Sequence, residues 1–131
     1  MQILQPPGWA KPRGYSNGIA AKGTTVFVAG QIGWQADGTW ATDDFAQQFA
    51  QALRNVVAVC AEAGAKPEHI VRLTWFITSK PEYLAGIKAI GAAYREIMGR
   101  HYPTMTVVEV GALVEDRAKI EIETTALVPD E

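Results

Sequence analysis

Three glutamates stand inside segments that are otherwise typical of β-strands, and they are the side chains best suited to move protons. Glu109 lies in one segment, and Glu121 and Glu123 lie in the last one. Acids are depleted in strands, and on a solvated face they only add solubility. If association buries one of them, desolvation raises its pKa and lets it exchange protons near neutral pH. Periodicity places Glu121 and Glu123 on one face and does not distinguish between them.

The other reactive residue types form no known catalytic constellation. His69 and His101 lack the HxH or HExxH spacing, so structural roles are expected and no metal site is predicted. Cys60 falls on the apolar stripe of a helix, where it is expected to pack as an inert hydrophobe. Ser16 and Ser79 are the two serines, and neither lies in a GxSxG elbow. The glycines form no nucleotide-binding motif.

The composition of the chain indicates the class of protein that contains these residues. The chain has 131 residues, a net charge of −2, 48% apolar residues and one cysteine. Such a chain builds a hydrophobic core without disulfides. The acidic balance makes nucleic acid an unexpected partner. No apolar run approaches the ~20 residues that span a bilayer, and the proline-rich start does not resemble a signal peptide. We expect a cytoplasmic protein with no membrane partner.

Hydrophobic periodicity predicts seven elements in the order β-β-α-β-α-β-β. Asp43 and Asp44 suit the start of the first helix, and Ser79 suits the cap of the second. Gly64 and Gly99 are expected to end the two helices. The predicted strands cover 15–21, 24–32, 70–78, 103–113 and 117–128, and the predicted helices cover 43–63 and 79–98.

The alternation of strands and helices predicts one α+β domain over residues 1–131. Crossover connections favour a two-layer arrangement, a mixed β-sheet with both helices on one face. The strand at 70–78 is expected to be buried on both faces. Apolar residues occur on both sides of the strand at 103–113, so the uncovered face predicts self-association.

Five separated blocks together resemble the Rid family, also called the YjgF type. The resemblance runs from about residue 15 to residue 128 and is carried by order and spacing. The blocks are Tyr15-Ser16, the run VFVAGQI at 26–32, QALRNV at 51–56 with AEAGA at 61–65, TVVEV at 106–110, and IEIE at 120–123.

The resemblance implies a fold, an assembly and a chemistry. The fold is chorismate-mutase-like α+β, assembled as a homotrimer around a central barrel, with one small-molecule site in each cleft between subunits. The activity is hydrolysis of reactive enamines and imines such as 2-aminoacrylate, which releases ammonia and a 2-keto acid. No metal or organic cofactor is implied.

The resemblance also assigns site residues. Tyr15 matches a tyrosine that lines the cleft, and Gly30 matches a glycine whose main chain contacts the ligand. Glu123 matches the glutamate that positions or activates water. A carboxylate in a partly dehydrated cleft is a suitable proton acceptor for that step.

Three substrate-binding positions depart from the family pattern. Met105 stands where RidA proper has an arginine that binds the substrate carboxylate bidentately. Val107 replaces a cysteine found in some members, and Gly91 stands where some relatives have an asparagine. Trp34 is a further candidate for the cleft wall, with aromatic packing as the alternative, whereas Trp75 is expected in the core.

Three functions follow from this pattern. The first is a cofactor-free deaminase of enamines or imines, with Glu123 handling water and a substrate other than 2-aminoacrylate. The second is a non-catalytic binder of an apolar or aromatic metabolite in the same clefts, which the apolar Met105 favours. The third is a ribonuclease, an activity named for some members, against which the acidic balance and the lack of a basic stripe count.

Overall fold

The first helix, α1 (Phe45–Glu62), begins at the predicted acidic pair in the computed structural model, which describes residues 1–130. The Asp44 side chain accepts a hydrogen bond from the Gln47 N–H at 3.0 Å. Asp43 instead forms an ion pair with Arg117 at 3.0 Å. The predicted helix start at the acidic pair is therefore confirmed, with Asp44 as the N-cap, and Asp43 connects α1 to the segment before the last strand.

Four strands form the main sheet, and two short strands form a separate pair. The short strands are β1 (Gln2–Leu4) and β2 (Gly18–Ala20). The main sheet has the order β3-β6-β4-β5, in which β4 and β5 are parallel and the other neighbours are antiparallel. Its strands are β3 (Thr24–Ile32), β4 (Ile70–Ile77), β5 (Thr104–Glu109) and β6 (Ile120–Val128).

Helices cover one face of the main sheet. They are α1, the short α2 (Lys80–Ala85) and α3 (Ile87–Met98). In β6, Ile120, Ile122 and Thr124 are buried beneath them, while Glu121 and Glu123 point to the opposite side, hereafter the open face. This confirms the α+β class, the mixed sheet with helices on one face, and the predicted alternation of the last strand. No helix in residues 1–130 is long and apolar enough to cross a membrane.

Several predicted elements differ from the observed ones, and the strands expected at 103–113 and 117–128 are the shorter β5 and β6. The helix expected at 79–98 is interrupted at Gly86, which ends α2 and begins α3. Ser79 caps α2 as predicted, with its hydroxyl accepting from the Glu82 N–H at 3.2 Å. The strand expected at 15–21 is only β2, because its partner β1 is three residues long and paired with no further strand.

The expectation that the strand at 70–78 is buried on both faces is wrong for the single chain. Leu73, Trp75 and Ile77 are buried under the helices. Arg72 is exposed and Phe76 is half-buried on the open face. The apolar residues of that face have no covering layer within one chain.

Candidate functional site

A cavity of about 330 Å³ lies between α2, α3 and the edge of the sheet at β4 and β5. Two predicted substrate-binding positions, Met105 and Gly91, both line it. Its volume is at the lower end of the range for small-molecule sites, about 300–1,000 Å³. The structure thus brings together two positions that are 14 residues apart in the chain.

Four aromatic residues line the cavity, namely Trp75, Tyr83, Tyr94 and Tyr102. Trp75 is 3% exposed and lies 6.5 Å from the Tyr83 ring and 6.4 Å from the Tyr94 ring. Tyr94 stacks on Tyr102 with ring centroids 5.3 Å apart and planes at 8°. The Tyr94 hydroxyl donates to the His101 carbonyl at 2.6 Å, and burial raises its pKa, so this ring stays neutral. The wall is rigid and presents ring surface to a ligand.

The charged side chains that line the cavity are all cationic. They are Arg13 and Arg95, and no acidic residue among residues 1–130 lines it. The ion pairs in residues 1–130 join Arg117 to Asp43 and Lys119 to Glu82, so neither lining arginine has a carboxylate partner there. Arg95 lies over Gly91, where an added Cβ would be 3.3 Å from its terminal nitrogen.

Tyr15 lies next to this cavity on a segment attached to β5. Ser16 forms a parallel bridge to Thr104, and its hydroxyl donates to the Tyr102 carbonyl at 2.5 Å. Tyr15 itself lines a neighbouring cavity of about 680 Å³ together with Tyr102. The predicted cleft residue is therefore close to Met105, although the two line different cavities within one chain.

Gly30 and the two glutamates of β6 form a second group, on the open face. An added Cβ at Gly30 would lie 2.6 Å from Cδ and 2.8 Å from Oε2 of Glu121. Gly30 falls at a register shift between Val28 and Gln31 in the pairing of β3 with β6. The carboxylate that touches the predicted ligand-contacting glycine is thus that of Glu121, while Glu123 is exposed farther along β6.

The predicted site residues are therefore divided between two faces of the sheet. Met105 and Val107 pack against the helix-side core, and Val107 is paired in register with Trp75. Gly30 and Glu123 belong to the group on the open face. A single chain does not bring Glu123 and Met105 into one cavity, which is the arrangement expected if a site is completed between chains.

The remaining candidate residues have structural roles. Glu109 accepts a hydrogen bond from the Lys80 N–H at 2.7 Å, which fastens the start of α2 to the end of β5. His69 Nδ1 accepts from the Lys66 N–H at 2.9 Å, and His101 Nε2 lies 2.6 Å from the Ile70 carbonyl. Cys60 is fully buried, and burial raises the pKa of its thiol. Trp34 packs on Trp40, with ring centroids 6.2 Å apart.

The whole chain has known relatives of the same fold. The family model described as Endoribonuclease L-PSP matches residues 9–128. A solved protein of unknown function from Yersinia pestis, assigned to the conserved Rid family, covers 97% of this chain and 98% of its own, with 29% identity and a TM-score of 0.85. The chain belongs to the Rid family.

Two further relatives of this Rid protein carry more specific names. The 2-iminobutanoate/2-iminopropanoate deaminase of Salmonella typhimurium is 32% identical over 108 residues, which is 80% of each chain. The Escherichia coli protein TdcF, solved with bound serine, is 31% identical with a TM-score of 0.69, covering 98% of this chain and 99% of its own.

Sequence reasoning missed Arg95 as a site residue and treated Trp75 as core alone. Trp75 is indeed buried, but it also lines the cavity. A signal for Arg95 was available, because an arginine four residues after Gly91 on a helix lies directly over the space that the glycine leaves.

Proposed function

We propose that this Rid protein is a cofactor-free deaminase that hydrolyses reactive 2-imino or 2-enamino acids at clefts between the subunits of a homotrimer. The named activity of the Salmonella typhimurium relative supports the reaction type. The observation that carries the proposal is the approach of the Glu121 carboxylate to Gly30, because it places a proton acceptor beside the glycine expected to contact the ligand.

The open-face carboxylates supply what imine hydrolysis needs. Water adds to the imine carbon, and a nearby base takes up the proton released as the new C–O bond forms. The C–N bond then breaks, nitrogen leaves as ammonia, and the oxygen from water stays in the 2-keto acid. Glu121 and Glu123 share the open face, and we assign the base role to this pair.

Assembly follows from the division of the site between two sheet faces. Phe27 is 80% exposed and Val108 is 39% exposed on the open face. Burying such apolar surface between chains is favourable. In the proposed trimer, the open-face group of one chain, with Gly30 and Glu121, is placed beside the cavity of its neighbour, with Met105.

The substrate is proposed to differ from 2-aminoacrylate. Met105 offers no charge where RidA proper binds the substrate carboxylate, and loss of a charge-assisted hydrogen bond costs about 1.5–3 kcal/mol. A small acid then has no anchor at position 105 and no apolar body to bury against the cavity wall. Larger 2-imino acids can still bury an apolar side chain against the cavity wall.

The test compares imines that an amino-acid oxidase generates in the assay mixture. Semicarbazide is added to compete with water for each imine. We expect the protein to accelerate 2-keto acid release, with larger effects for bulky side chains than for 2-aminoacrylate. Glu121→Gln and Glu123→Gln are compared with Glu115→Gln, an exposed loop control. No acceleration for any imine would contradict the proposal, and full activity in both β6 variants would remove the base assignment.

A non-catalytic binder of an apolar or aromatic metabolite is the alternative, favoured by the aromatic wall of the cavity. A ligand bound only by the folded state raises the melting temperature by mass action. Stabilisation by aromatic acids without any imine turnover is the result that selects this function. A ribonuclease role is less favoured, since the net charge of −2 provides little attraction for RNA.

A further inference from the structure

Arg95 places a cation at a cavity that is lined largely by aromatic and apolar side chains. Its guanidinium has no carboxylate partner within residues 1–130, and Arg13 adds a second positive charge at the same cavity. Like charges that share a site without an acid between them repel each other. An anionic ligand removes that repulsion and gains charge-assisted hydrogen bonds.

Gly91 makes room for this arrangement. An added Cβ there would be 3.3 Å from the Arg95 terminal nitrogen and meets no other atom within 4 Å. The glycine therefore leaves room for the guanidinium beside this turn of α3 at the cavity, where Arg95 is also exposed to solvent. A planar guanidinium held in this way suits bidentate recognition of a carboxylate.

The cavity wall specifies the rest of the ligand. Trp75, Tyr94 and Tyr102 present aromatic rings, and Met105 adds a flexible apolar side chain. The Trp75 Nε1 group is buried and has no hydrogen-bond partner in residues 1–130. An apolar wall beside two cations fits a ligand with an aromatic body and one carboxylate.

We propose that this cavity binds an aromatic 2-imino or 2-keto acid and that Arg95 is the specificity-determining residue that anchors its carboxylate. Arg95 on α3 thus supplies the charge that position 105 lacks. The 2-imino group rests on the proposed deaminase function, whereas recognition of an aromatic carboxylate does not.

The direct test is calorimetric titration of the intact protein with phenylpyruvate. We expect Arg95→Ala to weaken binding on the order of tenfold or more, the loss typical of a charged hydrogen-bonded contact. Arg54→Ala is the matched control, because Arg54 is an exposed arginine on α1 away from the cavity. Equal affinity of the wild type, Arg95→Ala and Arg54→Ala proteins would overturn the proposal.

Ligand variation separates charge from ring contacts. 1-Phenylpropan-2-one keeps the ring and the ketone without the carboxylate, and pyruvate keeps the carboxylate without the ring. Both are expected to bind at least tenfold more weakly than phenylpyruvate, and the uncharged ketone is expected to bind the wild type and Arg95→Ala equally. Stronger binding of pyruvate than of phenylpyruvate would contradict the aromatic assignment.

Different outcomes contradict the proposed deaminase function and the proposed ligand site. If phenylpyruvate binds in an Arg95-dependent manner but no imine is hydrolysed faster than in buffer, the ligand site stands and the deaminase function falls. If imines are hydrolysed and Arg95→Ala leaves KM for the phenylalanine-derived imine unchanged, the deaminase stands and Arg95 is not its anchor. An increase in KM with little change in kcat supports both.

Discussion

The approach of the Glu121 carboxylate to Gly30 explains why position 30 holds a glycine. Any Cβ at this position would overlap the carboxyl group, with 2.6 Å to its Cδ atom. The carboxylate is then close to main chain rather than to another side chain. A residue identified in the sequence as a backbone contact for ligand therefore also sets the position of a proton acceptor.

The variant Gly30→Ala tests that relation. Its methyl group is expected to displace Glu121 and to reduce kcat for imine hydrolysis on the order of tenfold, with a smaller loss of stability, because the acceptor is the flexible end of a side chain. Gly111→Ala is the control, since an added Cβ there meets nothing within 4 Å. Unchanged turnover in Gly30→Ala, with Gly111→Ala also normal, would show that the placement of Glu121 is irrelevant.

Two buried groups predict how stability depends on pH. Burial raises the pKa of the Cys60 thiol above its ordinary value of 9.0, and burial together with the neighbouring Tyr102 raises that of Tyr94 above 10.0. As pH rises, these two groups lose their protons at a lower pH in the unfolded chain than in the folded protein. Their contribution to the free energy of unfolding is therefore intact below the ordinary values and falls as pH rises through and above them.

Thermal unfolding from about pH 7 to about pH 10.5 measures this effect. We expect the melting temperature to begin falling above about pH 9 and the fall to be shallower in Cys60→Ala, which has no thiol to ionise. An identical alkaline slope in the variant would refute the contribution of Cys60.

At the scale of elements, the break at Gly86 positions the cavity. Because α2 ends there and α3 starts anew, Tyr83 and Ile90 can line one cavity from two helices. Glu109 fastens the start of α2 through the Lys80 N–H. In the single helix predicted at 79–98, these two residues would instead lie along one straight axis.

Gly91→Ala separates the stability of α3 from its binding role. Alanine in place of glycine in a helix interior stabilises by about 0.8–1 kcal/mol, so the melting temperature is expected to rise by about 3 °C. The added methyl displaces Arg95, so phenylpyruvate affinity is expected to fall several-fold. Ala92→Gly is the control, because Ala92 does not line the cavity. This change is expected to lower the stability of α3 and to leave phenylpyruvate affinity unchanged. A Gly91→Ala protein that gains stability and keeps full affinity would contradict the spacing role.

The elements that the sequence predicts well are those with local signals. Capping by Asp44 and Ser79 and the alternation in β6 depend on neighbouring residues, and the structure confirms them. The pairing of β1 with β2 depends on a distant partner and was missed. The site shows the same limit, because which predicted residues share a cavity depends on strand register, and the role of Arg95 depends on the empty space above Gly91.

For the whole molecule, the open face determines the state of assembly. Its apolar residues are exposed in one chain, with Phe27 at 80%. Exposure of such an apolar side chain on an uncovered sheet face is unfavourable in water, and its burial between chains is favourable. In the proposed trimer, assembly and site completion are one process, because we propose that the open-face carboxylates reach a neighbouring cavity only in the oligomer.

Phe27→Asp tests this link in solution. Sedimentation is expected to show a trimer for the wild type and a shift to smaller species for the variant, because association would bury an unpaired charge. Val114→Asp is the control, since Val114 is 99% exposed in a loop outside the sheet. A wild-type monomer, or a trimer that Phe27→Asp leaves intact, would refute the assembly, and unchanged far-UV circular dichroism excludes misfolding as the cause.

The order β3-β6-β4-β5 has a consequence for how the chain acquires its structure during synthesis. The last strand to be made, β6, lies between β3 and β4, which do not pair with each other. On the ribosome, β4, α2, α3 and β5 can form a local parallel unit on which α1 packs through Phe49 and Trp75, but β3 is joined to the sheet only after β6 has emerged. The sheet therefore closes late, through long-range contacts that are slow to form. Nascent chains halted before β6 are expected to expose their core to chaperones.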